Sequence, residues 1–236
     1  MKGIFKNPEP QSFTDWKSLA NEDWTPTFSI FRNPQKAEVR RCLLTEQGYI
    51  CCYCCSRIED SPKTTVMEHF IPQSDEQAGE NNALNYDNLL ACCDGTKIDN
   101  KSSEAIYCCD EHKKDQFRSK EDTSIELIKP TERNEQGFIC EQAFAYTSIG
   151  SIIAQRGIYE RNAEYTMSIL NLDNGELKRQ REETCNFLFE DVEAGVLFNF
   201  SDVELEQLKE GYSHKDATGK FTPFCPIVLY FLSTYF

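Results

Sequence analysis

The spacing of apolar positions changes several times along the chain, and each change marks an element. Residues 1–36 carry Trp, Phe, Pro and Asn without a sustained period, which predicts an extended arm with a short helix around Asp15–Ala20. The arm's aromatics either pack on the main body, the simpler reading, or form a docking strap. Over Gln35–Gln47, Val39, Cys42, Leu43 and Glu46 recur at three- and four-residue intervals before Gly48, the pattern of a helix with a glycine stop. Thr64–Met67 has β character and runs straight into Glu68-His69. The polar stretch Gln73–Asn85 reads as a loop, and Asn85–Asn88 is expected to open a short helix with Leu89 and Leu90 on its buried side. Asp94–Ser103 reads as a second polar loop and Glu111–Lys120 as a charged, solvated helix.

Beyond Lys120 the character changes. Ile125–Ile128 and Phe138–Cys140 suggest two short strands around the polar turn Arg133–Gly137. Helical periods follow at Ile158–Leu170 and Glu176–Phe189, the second capped by Asp173 or Asn174. Ser201 with Glu204 three residues on forms a capping box for a further helix, and Phe221–Phe236 is an apolar terminal segment. The expected class is α+β: an N-terminal arm (1–36), a core (37–120) and a mainly helical C-terminal lobe (121–236).

A chain of 236 residues, 39% hydrophobic and 27% charged, is long enough to bury a sizeable core. No apolar run reaches membrane-spanning length, and the opening MKGIFKNPEP lacks the apolar region of a secretory signal, so a cytoplasmic location is the default expectation. The net charge of −14 counts against a broad basic face for nucleic acid. A bound cation, a local basic strip or a basic partner would have to supply that charge.

Chemistry concentrates between Cys51 and Lys113, where eight of the twelve cysteines and two of the three histidines fall. Clustered cysteines in a reducing compartment point to metal rather than to disulfides. The scattered Cys42, Cys140, Cys185 and Cys225 have apolar neighbours and read as small buried hydrophobes. Tetrahedral zinc takes four soft ligands, usually as two close pairs. Cys51 with Cys54 makes one C-x-x-C knuckle, and Cys52 with Cys55 makes the competing one. The second pair comes from Cys92 or Cys93 and from Cys108 or Cys109, and spacing leaves the register open. Glu68 and His69 pair a carboxylate with an imidazole, the material of acid–base chemistry. On a strand they point to opposite faces, so one is suited to bind a cation while the other activates water.

The order C-x-x-C, Glu-His-apolar-x-Pro (Glu68–Pro72), Asn88-Leu89, Cys, and Cys-polar-x-x-Lys resembles the HNH endonuclease family in its zinc-stapled form. The resemblance implies a ββα-metal unit, with Cys51, Cys54, Cys93 and Cys109 as ligands of a structural Zn²⁺. It implies His69 as general base, Glu68 as a ligand of a catalytic Mg²⁺ or Mn²⁺, and Asn88 as the residue that holds the histidine-bearing loop. Asp110 stands at the third motif position, where His or Asn is commoner; as an oxygen ligand it preserves cation binding. His112 is the alternative for that position, and Lys113 closes the motif. Pro8-Glu9-Pro10 in the arm, the Leu43–Gly48 segment and Ile169–Leu172 extend the likeness to the PtuB-like nuclease subunits of Septu-type antiphage defence, found also in retron operons. That likeness implies an ABC/SMC-like ATPase partner and a nucleic-acid substrate, DNA before RNA, with no membrane involved. The contrasting reading is a structural zinc module for protein–protein contact with a decayed nuclease site. A redox role for the C-x-x-C pair lacks the surrounding βαβ pattern.

Overall fold

The computed structural model describes residues 1–73, 82–98, 103–113 and 125–236. Among these the fold is a mixture of helices and small antiparallel strand pairs. Helix α1 spans Gln11–Ser18, starting earlier than expected because Pro10 occupies the N-cap. Helix α2 spans Gln35–Gln47 and buries Val39, Leu43 and Leu44. It stops at Gly48, whose φ of 60° lets its N–H reach back to the carbonyls of the last turn. A Cβ there would meet the Phe221 ring at 2.4 Å, so glycine is required twice over.

The central unit is strand β1 (Thr65–His69) paired antiparallel with β2 (Leu89–Cys93), Thr65 opposite Cys93 and His69 opposite Leu89. The expected helix at Leu89 is instead this strand. The Asn85 side chain accepts the Asp87 N–H and closes a single 3₁₀ turn over Tyr86–Asn88, after which the chain extends. The run Leu-Leu-Ala-Cys-Cys is buried at every position, and a short, wholly apolar run does not distinguish a buried strand from a helix. Gln47 ties α2 to β2. Its amide donates to the carbonyls of Ile50 (2.9 Å) and Ala91 (2.7 Å), and its Oε1 accepts the Ala91 N–H at 2.7 Å.

Strand β3 (Thr96–Ile98), inside the expected loop Asp94–Ser103, pairs antiparallel with β4 (Ala105–Tyr107), just beyond it; residues 99–102 of that loop lie outside the described residues. The β4 residues are largely exposed, so no apolar alternation announced the pair. Helix α3 begins at Cys109 and is described to Lys113. The rest of the helix expected over Glu111–Lys120, and residues 74–81 of the expected loop, lie outside the described residues.

In the C-terminal part, β5 (Arg133–Asn134) and β6 (Gly137–Phe138) form a tight hairpin within the expected turn. Leu127 and Ile128 are buried without strand pairing, and Ile139–Gln142 forms a short helix, α4. Strands β7 (Phe144–Tyr146) and β8 (Ile152–Ala154) pair next. Helix α5 covers Glu160–Ile169. Helix α6 covers Gly175–Cys185 and is capped by Asn174, whose side chain accepts the Leu177 N–H. It ends four residues before the expected Phe189, which instead begins the hairpin of β9 (Phe189–Asp191) and β10 (Val196–Leu197). Helix α7 (Asp202–Ser213) starts with the Ser201–Glu204 capping box, and apolar α8 (Cys225–Thr234) buries Ile227, Val228, Phe231 and Leu232. No helix among the described residues is long and apolar enough to cross a membrane.

One apolar core runs through all three stretches of the chain. Met1, Ile4, Phe13 and Phe31 from the arm join Leu43, Leu89 and Leu90, then Leu170, Leu177 and Phe231. Phe31 is fully buried against Phe13 (ring centroids 4.7 Å apart) and Trp16 (5.1 Å). Phe31→Ala is therefore expected to destabilise the whole fold by about 3–5 kcal/mol, read as a lower urea midpoint in a single cooperative transition. A loss below about 1 kcal/mol would mean that the arm is not part of the core.

Candidate functional site

The segment Ile50–Arg57 folds as a knuckle. Its ends form an isolated bridge between Ile50 and Arg57, the Cys51 N–H reaches Ser56 O (2.8 Å), and the Cys55 N–H reaches Cys51 O (3.1 Å). The Cys52 N–H donates to Ala91 O at 3.1 Å, which sets the knuckle against β2. From the other side, Cys109 adopts a φ of 55° and donates its N–H to Leu170 O (2.8 Å), so α3 starts with its first thiol turned inward.

These three segments meet at sulfur. The Sγ atoms of Cys51, Cys92, Cys93 and Cys109 all lie within 4.8 Å of one another, and all four residues are buried. Cys51 Sγ is 3.6 Å from Cys92 Sγ and 3.9 Å from Cys109 Sγ, and Cys54 Sγ is 3.9 Å from Cys93 Sγ. A zinc ion with four sulfurs at about 2.3 Å sets them about 3.8 Å apart along the edges of the tetrahedron. The spacings match that edge, so the cluster could hold a metal ion such as zinc.

Three of the expected ligands, Cys51, Cys93 and Cys109, belong to the four-sulfur group. Cys54 lies against it, in thiol contact with Cys109, Cys51 and Cys93, and contact with Cys109 above all holds its thiol below the ordinary range. Cys92 is the member that the motif did not nominate, and the doublet at Cys92-Cys93 was its one signal in the sequence. Contacts from Cys108 and Cys109 hold the Cys93 thiol far below its usual range. The other three members shift the opposite way: burial raises the Cys51 and Cys92 thiols, and thiol neighbours raise that of Cys109.

Next to the sulfurs lies a buried polar group. Glu68 Oε1 accepts from Tyr53 Oη at 2.8 Å and from the Lys113 ammonium. Lys113 Nζ also donates to the carbonyls of His69 (3.0 Å) and Phe70 (3.2 Å), which pins α3 across the end of β1. Burial pushes the Glu68 carboxyl up to about 8; Lys113 opposes the shift, and a hydrogen bond with the Asp110 carboxyl adds to it. Two carboxyls in hydrogen-bonding contact share a proton or a cation, because both cannot carry uncompensated charge. Glu68 and Asp110 therefore share a proton or compete for the Lys113 ammonium.

His69 closes β1, and alternation along the strand turns it away from Glu68. Its Nε2 lies 3.0 Å from Ala83 O, and a carbonyl accepts, so Nε2 carries the proton. Nδ1 is then the basic nitrogen, 3.3 Å from the Gln73 amide. Burial lowers the imidazole pKa, so the ring is neutral near neutral pH. The Phe28 ring of the arm meets it edge-on, centroids 4.4 Å apart.

Asn88 is buried and bridges both ends of the loop that follows His69. Its Oδ1 accepts the Ile71 N–H (2.8 Å), and its Nδ2 donates to Ile71 O (3.0 Å) and Asn82 O (3.1 Å). His112 turns elsewhere: its Nδ1 donates to Ile169 O at 2.9 Å, at the end of α5. Asp110 adjoins Glu68 instead. Tyr53, Phe28 and the Ala83 carbonyl were not visible as site residues in the sequence; a tyrosine flanked by cysteine doublets was the nearest to a signal. No family model matches the chain, and no curated protein matches it, so any functional reading rests on these residues.

Stripping metal from the thiol cluster is expected to unfold the knuckle and release α3, since structural zinc supplies about 10–16 kcal/mol of folding free energy in small thiolate sites. Titration with a zinc chelator, followed by near-ultraviolet circular dichroism of Tyr53 and its neighbours, measures this. An unchanged spectrum in metal-free protein would show that the thiols pack without an ion.

Proposed function

We propose that this chain is a metal-dependent HNH-type endonuclease that hydrolyses phosphodiester bonds of nucleic acid, DNA in preference to RNA. The observation that carries the reading is the placement of His69: Nε2 lies 3.0 Å from Ala83 O, which accepts its proton, so Nδ1, 3.3 Å from the Gln73 amide, is the basic nitrogen, and burial lowers the imidazole pKa. From Nδ1 the imidazole takes a proton from the attacking water as that water adds to phosphorus. Asn88 keeps the loop stem closed, so that Ala83 O stays where it fixes the tautomer. Glu68 and Asp110 would hold Mg²⁺ or Mn²⁺, whose charge stabilises the phosphorane and the leaving 3′ oxygen. Lys113 orients Glu68 and ties it to the strand end that carries His69.

The acidic chain fits a nuclease that works beside a larger partner which grips nucleic acid; an ABC/SMC-like ATPase of a bacterial antiphage system of the Septu or retron kind is the partner proposed. The cytoplasm is the corresponding location, and it also keeps the buried thiols reduced. One observation favours the contrasting reading of a structural zinc module: Glu68 already has the Lys113 ammonium as a counter-charge.

Cleavage of plasmid DNA and total RNA with Mg²⁺ or Mn²⁺, with and without the neighbouring ATPase, separates the two. His69→Ala is expected to lower the cleavage rate by about 10²–10⁴-fold with zinc content and fold unchanged. Glu68→Gln should abolish the response to added Mg²⁺. Wild-type and His69→Ala protein cutting equally would remove His69 as the base. A zinc-loaded wild type that cuts nothing in any combination would establish the structural module.

A further inference from the structure

Several cations of this chain are matched by a carboxylate: Lys6 by Glu46, Lys17 by Glu9, Arg40 by Asp60 and Lys113 by Glu68. Two lysines beside His69 are held differently. Lys36, on the first turn of α2, places its Nζ over the Phe28 ring, 4.6 Å from the centroid. That ring meets the His69 imidazole with centroids 4.4 Å apart. Lys129 places its Nζ 5.4 Å from the ring centroid of Phe70, the residue next after His69. The same ring lies 5.9 Å from Lys113 Nζ, the ammonium bound to Glu68. Lys36 therefore stands on the imidazole side of the end of β1, and Lys129 stands on the Glu68 side.

Among the described residues neither lysine has a carboxylate within ion-pair distance. An aromatic ring positions an ammonium without cancelling its charge. Arg32 adds a third cation. The Lys36 N–H donates to Arg32 O at 3.0 Å, which sets Arg32 one turn ahead of Lys36. Arg32 is exposed, and its guanidinium donates to a carbonyl, Phe31 O, at 3.1 Å. Burial, and then repulsion from Arg32 and Arg40, lowers the Lys36 ammonium. An anion between Arg32 and Lys36 relieves that repulsion. The net charge of −14 does not overrule these cations, because salt at physiological strength screens exposed charges beyond about 8 Å.

We propose that Arg32, Lys36 and Lys129 grip the phosphodiester backbone of a nucleic-acid strand that crosses the end of β1. Arg32 and Lys36 take phosphates on the His69 side, and Lys129 takes one on the Glu68 side. The strand is thereby held across the imidazole, and a phosphate between the two grips is the one presented to Nδ1. The choice of nucleic acid as the anion rests on the nuclease reading; the cations and their ring supports stand without it. Phosphate contacts carry no base information, so binding is expected to be indifferent to sequence.

The test is binding, measured apart from cleavage. Fluorescence anisotropy of a labelled DNA duplex is followed with the full chain over a series of salt concentrations, with no Mg²⁺ or Mn²⁺ added. The wild type is expected to bind. The slope of log affinity against log salt should fall by about one unit for each cation removed in Arg32→Gln, Lys36→Gln and Lys129→Gln. Glutamine keeps part of the aliphatic stem, so the rings stay covered. Lys63→Gln/Lys220→Gln is the control: Lys63 precedes the other end of β1, and Lys220 lies over the Tyr49 ring past the other end of α2. The control should bind as the wild type does. An equal loss in the control would overturn the proposal, since net charge alone would then explain it. An unchanged slope in the triple variant would overturn it too. So would a wild type that binds no DNA, which would leave the strip to an acidic protein partner. Binding lost with Arg32 and Lys36 in a protein that cuts nothing would support the strip and sink the nuclease. Cutting that depends on His69, with binding indifferent to the three cations, would do the reverse.

Discussion

Three segments far apart in the sequence are brought together at sulfur, and the rest of the molecule is built outward from that meeting. The knuckle at Ile50–Arg57, the end of β2 and the start of α3 converge where Cys51, Cys92, Cys93 and Cys109 come within 4.8 Å of one another. Burying four thiolates together costs free energy unless a cation compensates them. The cluster therefore does what apolar packing does elsewhere. It fixes the pitch of α3 against β1, and with it the reach of Lys113 to Glu68 and to the carbonyls beyond His69.

Around this centre the N- and C-terminal stretches act as a casing. The terminal ammonium of Met1 donates to Tyr146 Oη (3.1 Å), Arg57 Nη2 donates to Phe221 O (2.6 Å), and Lys215 Nζ reaches the last carbonyls of α2, Thr45 O at 2.7 Å. These contacts span most of the sequence and set the knuckle between the arm and the apolar helix α8. The two sides of the site have separate supports. Glu68 faces the sulfur side, held by Tyr53 and Lys113, whereas His69 faces the arm, against Phe28. One strand thus carries two chemistries, and its pairing register with β2 keeps them apart.

The sequence was most legible where local chemistry decides structure. Gly48 ends α2, Asn174 caps α6, and Ser201 with Glu204 boxes the start of α7, each visible because one side chain or its absence satisfies a nearby backbone group. It was least legible where tertiary context decides. Leu89–Cys93 reads equally as helix or strand until β1 lies beside it, and β4 is too exposed to show a period. Motif order placed Glu68, Asp110 and three of the four close thiols in one region. It did not reveal which sulfurs touch, because two adjacent cysteines are a single residue apart in sequence, and the fold decides how each is aimed. Phe28 was hidden for a related reason: its partner, His69, is far away along the chain.

The Asn88 clamp has a consequence for how such a site changes over time. Asn88 joins Ile71 to Asn82, and Ala83 holds the imidazole, so the two ends of this stretch are tied together beside His69. Closing a longer loop across a sealed stem is inexpensive, about 0.6 kcal/mol for each doubling of its length. Gln73, whose amide reaches Nδ1, lies just inside that stem, so the ties next to the imidazole all fall at residues 71, 73, 82 and 83. A change of length beyond Gln73 is thus expected to cost little in closure while these ties persist.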